Sequence, residues 1–393
     1  MKILRVISSI DPKGGGPIEG IKQLNCPVRD LGVQIDVLCC DPPDAPYLNA
    51  FDNLTTTTTT TTTTVYAMGP AYLGYAYAPK LLPWLKAHAH NYDAIIVNGI
   101  WQYHSFAVWR ALAGTKTPYY VFTHGMLDPW FKHMYPLKHL KKCLYWPWAE
   151  YRVLRDARKV IFTCEDERLL ARESFKLYKV NEAITAYGVA NPPANSEGLT
   201  AQFLAQYPQL QGKRLALYLS RIHVKKGCDL LITAFAKVAP QDANLHLVMA
   251  GPDQIGWVPK LQAQAKALGI ADRITWPGML QGDLKWGAFY AAEVFVLPSH
   301  QENFGLVVAE ALACGKPVLI SNKVNIWGEI KEEGAGLVSD DTQAGTDELL
   351  NHWLTMDATE FAAMQAKTIS CFEKRFHVQR GAERLLEIIR ESL

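Results

Sequence analysis

The chain has 393 residues, of which 49% are hydrophobic, 20% charged and 11% aromatic. A chain of this size buries enough apolar surface to hold a core without disulfides or metals, and its composition excludes a disordered protein. The 40 Lys+Arg against 38 Asp+Glu give a net charge of +2, which offers no general case for nucleic-acid binding.

Along the chain, short apolar runs rich in β-branched residues alternate with helix-length amphipathic segments. The runs in the first half are 3–10, 33–39, 94–98, 119–123 and 160–163; those in the second are 215–220, 245–249, 273–276, 294–297 and 318–321. Such alternation predicts parallel sheets with helices on both faces, an α/β, doubly wound architecture. A break rich in Pro and Asn, Asn191-Pro-Pro-Ala-Asn195, splits the ten strands evenly. Two domains follow, 1–195 and 196–371, and two such sheets facing each other would form a cleft beyond their strands' carboxyl ends. The last stretch, 382–393, reads as a helix. The N-terminal apolar run lacks a small-residue cleavage site and reads as a first strand, and no stretch of about 18 apolar residues predicts a membrane span. Eight cysteines without Cys-x-x-Cys spacing suit reduced thiols in the cytoplasm. Residues 55–64 are ten consecutive threonines, for which a surface loop is the expectation and from which no function is read.

The motif with the most chemistry is His300-Gln-Glu-Asn-Phe-Gly-Leu-Val-Val-Ala-Glu-Ala-Leu-Ala-Cys-Gly-Lys-Pro-Val318. It follows the run 294–297 and opens a helix, whose start offers unpaired N–H groups to an anion, while Gly305 allows a ligand close to the backbone. Glu302 precedes the helix and Glu310 lies in its second turn, where a side chain leaning toward the helix N-terminus reaches the same ligand. Two carboxylates for hydroxyls, with amides for a diphosphate between them, form the polarity map of a nucleotide sugar. The second motif, Leu219-Ser-Arg-Ile-His-Val-Lys-Lys-Gly-Cys-Asp-Leu-Leu231, places Arg221 and Lys226 either side of a turn after the first strand of the second half, where two cations neutralise phosphates. Each feature taken alone also reads as a helix cap or a solvated surface charge.

Together the two motifs resemble the retaining GT-B glycosyltransferases known as glycosyltransferase family 4. The Glu-x7-Glu arrangement enclosing Asn303-Phe304-Gly305 is specific to that family, and the resemblance covers the whole second half and, more weakly, the first. It implies two Rossmann-like domains, with the last residues, from about 372 to 393, packing back on the first. Arg221 and Lys226 would hold the donor diphosphate, Glu302 would touch the transferred sugar, the Gly305 and Leu306 amides would face sugar or phosphate, and Glu310 would bind the ribose hydroxyls. The nucleobase would lie along Gly278-Met279-Leu280, with Gly251-Pro252 in the same pocket. In the first half, Gly14-Gly15-Gly16-Pro17 stands where the family has its glycine loop, and His124 of Thr123-His124-Gly125-Met126 matches a histidine that faces the donor sugar in a subgroup. Asn98-Gly-Ile-Trp101, where relatives often carry His-Gly-x-Trp, and Ala186-Tyr-Gly-Val189, where relatives show Asn-Gly, depart from the pattern on the acceptor side.

The resemblance implies transfer of a hexosyl unit with retention, in polysaccharide, exopolysaccharide or glycolipid assembly, with UDP-glucose favoured as the donor substrate over GDP-mannose or ADP-glucose. Absence of Asp-x-Asp predicts a reaction without metal or other cofactor. An epimerase on the same scaffold and a non-catalytic sugar-nucleotide-binding protein are the alternatives. A dehydrogenase is disfavoured because Gly14-x-Gly16 is followed by Glu19 rather than Gly.

The segment 130–148 mixes four lysines with five Trp or Tyr residues, which suits a bilayer surface or a lipid-linked acceptor. An ordinary amphipathic helix with tryptophan in the core is the competing reading. Charge sharpens the question: residues 1–195 hold 21 basic and 16 acidic residues, leaving 19 and 22 for the rest, and residues 132–159 alone hold eight and two. The expected location is the cytoplasm, with peripheral membrane contact through residues 130–159 and no nucleic-acid partner.

Overall fold

The computed structural model describes residues 1–48 and 63–393; most of the threonine run, residues 55–62, lies outside them. The chain forms two compact units, one of Met1–Ala190 with Val378–Leu393, the other of Asn191–His377. The sequence placed these divisions at 195/196 and near 372.

The first unit is built on seven parallel strands: β1 (Lys2–Ile7), β2 (Gln34–Cys39), β3 (Val65–Ala67), β4 (Ala94–Asn98), β5 (Tyr119–Phe122), β6 (Lys159–Phe162) and β7 (Glu182–Ile184). They lie in the order β3-β2-β1-β4-β5-β6-β7. The second unit has β8 (Arg214–Leu219), β9 (Leu245–Ala250), β10 (Ile274–Gly278), β11 (Val294–Leu297), β12 (Val318–Ser321) and β13 (Gly336–Ser339), ordered β10-β9-β8-β11-β12-β13 and also parallel. Each sheet reverses direction of growth at its first strand, so each has a topological switch point where loops at the strands' carboxyl ends part. The central strands are buried on both faces, as their unbroken apolar runs require.

The ten expected strands all form. The structure adds β3, β7 and β13, which are three or four residues long, half-buried and located at sheet edges, so they carry too little apolar pattern to stand out. The first strand also stops earlier than expected, at Ile7. There the Asp41 carboxylate accepts from Ser9 Oγ at 2.6 Å and from the Ile10 amide at 2.8 Å, turning the chain away from the sheet.

The helix Val378–Arg390 packs on Gly16–Asp30 within the first unit. Leu385, Leu386, Ile388 and Ile389 are buried there. Its carbonyl at Gly381 accepts from Thr185 Oγ1 at 3.0 Å, and Ser392 Oγ lies 2.7 Å from the Tyr120 hydroxyl. A Cβ at Gly381 would meet the Ala186 carbonyl oxygen at 2.4 Å, so glycine sets how closely this helix approaches. Among the described residues no helix is long and apolar enough to cross a membrane.

Candidate active site

The second unit brings its two sequence motifs together at the ends of β8 and β11. After β8 the chain makes a short turn, Val224–Lys226, then Gly227 at φ 63° opens the helix Cys228–Val238. A Cβ at Gly227 would lie 2.1 Å from the Pro298 carbonyl oxygen, so only glycine lets this turn sit against the loop after β11. That loop is stitched to the turn by backbone: the His300 amide donates to the Lys225 carbonyl at 2.8 Å, and Ser299 Oγ donates to the same oxygen at 2.9 Å.

The stitching places the Lys226 ammonium against the Glu302 carboxylate, with the Gln301 carbonyl oxygen 3.3 Å away. Lys226 is 3% exposed. Burial alone would raise the Glu302 pKa; the Lys226 charge and hydrogen bond, with lesser contributions from Arg221 and Lys225, outweigh it and hold the carboxyl below its ordinary range. Glu302 is therefore ionised at neutral pH. Its amide donates to the Lys323 carbonyl at 2.9 Å and its carbonyl accepts from the Asn325 amide at 3.0 Å, which fixes the loop on both sides.

Gly305, at φ 71°, caps the helix Leu306–Ala313. Glu310 in that helix is buried, and its Oε1 accepts from Lys285 Nζ at 2.6 Å. Lys285 comes from the helix Gly282–Ala291, 25 residues away, and no local pattern announced it. Phe304 is buried edge-on against Phe376, with ring centroids 5.9 Å apart, which anchors the loop from below. Asn303 and Leu306 are half-buried beside it.

Other expected residues border the same strand ends. Arg221 is exposed, and its Nη1 donates to Gln254 Oε1 at 3.0 Å rather than to a carboxylate. Gly251, at φ 144°, would place a Cβ 1.7 Å from the Ser220 carbonyl oxygen, and its amide donates to Gly278 at 2.7 Å. The ends of β8, β9 and β10 thus close to van der Waals contact through glycine. Of the neighbouring pair, Met279 is 60% exposed and Leu280 is buried.

His124, Gly15 and Gly16 belong to the other unit. Gly15, at φ 74°, caps Gly16–Asp30, and the Ile18 and Glu19 amides donate to its carbonyl. His124 follows β5 with φ 51°, a conformation rare for a residue with a side chain. Two groups that sequence reasoning missed hold it. The buried Glu167 carboxylate accepts from Thr123 Oγ1 at 2.7 Å, the Gly125 amide at 2.6 Å, and the amide and hydroxyl of Thr163, both at 2.7 Å. Tyr187 stacks on the imidazole at 5.2 Å, and its hydroxyl lies 3.0 Å from Nε2. Burial, then Arg5 and His104, push the His124 pKa down to about 3, so the ring is neutral at physiological pH. The two departures from the family pattern have local explanations. Tyr187 is this stacking partner, and Asn98 is buried, donating to the Ile96 and Val6 carbonyls at 3.2 and 3.4 Å.

Residues 15–188 match the family described as the glycosyl transferase 4-like domain, and residues 201–368 match the glycosyl transferases group 1. The chain belongs to the group 1 glycosyltransferases, with the two-domain GT-B fold. A D-inositol 3-phosphate glycosyltransferase of Segniliparus rotundus is 32% identical over 131 residues, 33% of this chain and 29% of the relative. This chain therefore spans less than a third of that relative. A 2-deoxystreptamine N-acetyl-D-glucosaminyltransferase of Niallia circulans is 24% identical over 78% of this chain and 80% of its own. Among solved structures, HepE of Anabaena in complex with UDP and glucose covers 100% of both chains with a TM-score of 0.77 at 20% identity, a likeness of fold.

Proposed function

We propose that this group 1 glycosyltransferase transfers a hexosyl unit, glucose from UDP-glucose being favoured, to a saccharide or lipid-linked acceptor, with retention and without a metal, in polysaccharide or glycolipid assembly. The carrying observation is the pairing of buried Lys226 with half-buried Glu302 beside the start of Leu306–Ala313. Breaking the anomeric C–O bond leaves charge on the β-phosphate of the departing diphosphate. Lys226 and the helix-start amides stabilise that charge by fixed electrostatics, and Arg221 meets the outer oxygens. Glu302, kept ionised by Lys226, accepts a hydroxyl of the transferred sugar and favours the positive charge that develops on its ring. Glu310, oriented by Lys285, takes the ribose hydroxyls. Met279, Leu280 and Gly251 border the base, while Asn303, Phe304 and the Leu306 amide shape the loop around the sugar. In the first unit, His124 with its neutral ring is assigned a catalytic role, and Gly15 and Gly16 are assigned to substrate binding, by the family resemblance.

UDP is favoured because the solved relative HepE carries UDP and glucose. Lipid-linked acceptors enter through the basic segment 130–159, which would rest peripherally on the cytoplasmic face of a membrane. Donor hydrolysis measured across nucleotide sugars, repeated with Glu302→Ala and Lys226→Ala, tests the assignment. Strong loss in both variants supports it, and unchanged hydrolysis in both refutes it. A thermal shift with GDP and none with UDP would overturn the donor, and abolition of turnover by EDTA would overturn metal independence.

A further inference from the structure

The helix Pro136–Tyr145 is amphipathic but inverted. Leu137, Leu140, Lys141 and Leu144 share one face, continued past the helix end by Trp148. Leu137 is 78% exposed, Leu144 71% and Leu140 59%. The opposite face carries His139, Lys142 and Trp146 and is turned toward the protein. Lys142 Nζ lies 4.2 Å over the Trp101 ring, His139 stacks on Phe175 at 4.8 Å, and Trp146 stacks on Phe175 at 4.1 Å. Tyr135, Lys138, His139 and Lys142 line a pocket with Phe131 and Phe175. The tryptophan-in-core reading thus describes Trp146, while the leucine ridge points the other way.

In a water-soluble setting the cations would face out and the leucines in. The inverted order also concentrates positive charge around the pocket. His139 is held below its usual pKa by burial and then by Lys132, Lys142 and His133. Of the nearby acids, Asp128 lines the same pocket, its Oδ1 accepting from the Trp130 amide, and burial raises the Glu150 pKa to about 8, so that the four lysines and the histidines outnumber the acidic charge.

We propose that this helix docks on an anionic phospholipid bilayer, its leucine ridge and Trp148 entering the acyl boundary while Lys132, Lys138 and Lys141 pair with headgroup phosphates. Charge complementarity selects this occupant over a second copy of the chain, whose identical lysines would repel across the interface. The inference deepens the lipid-linked arm of the proposed function, since it names the surface from which such an acceptor would be drawn.

Co-sedimentation with vesicles of phosphatidylcholine and phosphatidylglycerol, against phosphatidylcholine alone, reads the docking directly. The whole protein is expected to pellet with the anionic vesicles and to be released by salt. Leu137→Ser with Leu144→Ser is expected to reduce partitioning about tenfold or more, and Lys138→Glu with Lys141→Glu to abolish the preference for anionic lipid. Binding unchanged in the serine variant, or no binding by the parent protein, overturns the proposal. So does a dimer in solution that the serine substitutions dissociate. A thermal shift with UDP, run on every variant, confirms folding and reports the donor site separately. Loss of the UDP shift in the parent protein refutes the donor reading without touching the lipid result.

Discussion

Two glutamates, Glu302 half-buried in the second unit and Glu150 fully buried in the first, meet opposite fates. Glu302 faces an ammonium at contact distance and stays ionised. Glu150 is 0% exposed; burial pushes its carboxyl up to about 8, which the hydrogen bond from Ser105 and the charge of Lys142 only partly oppose. The same side chain is thus a charged group at one strand-end loop and a neutral one near another. Sheet order does not decide this, because both sheets turn at a first strand in the same way. The decisive factor is whether the neighbouring loop brings a cation to the carboxylate before water is excluded.

Removing that cation from the second unit has the largest expected effect. Lys226→Ala leaves Glu302 without its partner and the departing diphosphate without its closest ammonium, so donor turnover should fall by about 10²–10³. Lys226→Arg is the sharper test: a planar fork in a space shaped for a point charge should restore only part of the loss. Full recovery in steady-state hydrolysis would show that charge alone matters at this position.

Glycine substitutions extend the contrast from charge to backbone. Gly251→Ala drives a Cβ to 1.7 Å from a carbonyl oxygen at φ 144°, and should cost roughly 2–4 kcal/mol in urea unfolding. Gly16→Ala, where a Cβ meets nothing within 4 Å, should lie within about 0.5 kcal/mol of the parent. Comparable costs at the two sites would contradict the view that the end of β9 is closed to contact while the loop after β1 is open at Gly16.

These residues show what was legible in the sequence and what was not. The ten central strands announce themselves because burial on both faces forces unbroken apolar runs, while β3, β7 and β13, half-buried at edges, do not. Lys226 and Glu302 stand out because each sits in a contiguous motif after a strand, although their pairing across 76 residues emerges only from the fold. Lys285 and Glu167 lack such a frame. Lys285 sits in a helix of otherwise unremarkable pattern, and Glu167 in Glu165–Ser174 reads as one acid among three in a first turn. The roles of both depend on loops brought to them from elsewhere in the chain. The inverted helix was visible as a mixture of lysines and aromatics, yet which face met the protein required packing.

Glu167 marks the first unit's own way of fixing a loop, through a buried carboxylate that accepts from amides and hydroxyls. Glu167→Gln keeps the size of the side chain but replaces one acceptor oxygen with a donor facing the hydroxyls and amides of Thr123, Gly125 and Thr163. A loss of about 1–3 kcal/mol is expected, together with faster amide exchange at His124 and Gly125. Unchanged exchange there would mean that Tyr187 stacking alone holds the histidine in its left-handed backbone.

The smallest effect per step, and the one that returns to the two glutamates, is a slope with pH. Because the folded-state pKa of Glu150 lies above its unfolded value, the folded protein holds one more proton than the unfolded chain between about pH 4.5 and 8. Stability contributed by this group is therefore fully present below the unfolded pKa and falls as pH rises, by about 1.4 kcal/mol per unit, until the folded pKa is passed. Glu302 works in the opposite sense: its lowered pKa adds stability above the unfolded value, which is lost only as pH falls through the folded one. Glu150→Gln should flatten the decline in denaturation midpoint between pH 6 and 7, with the amide still accepting from Ser105. Glu302→Gln should leave that interval unchanged, because Glu302 is ionised in both states across it. If both variants altered the slope equally between pH 6 and 7, the two carboxylates would not differ in charge, and the contrast between the units would rest on backbone alone.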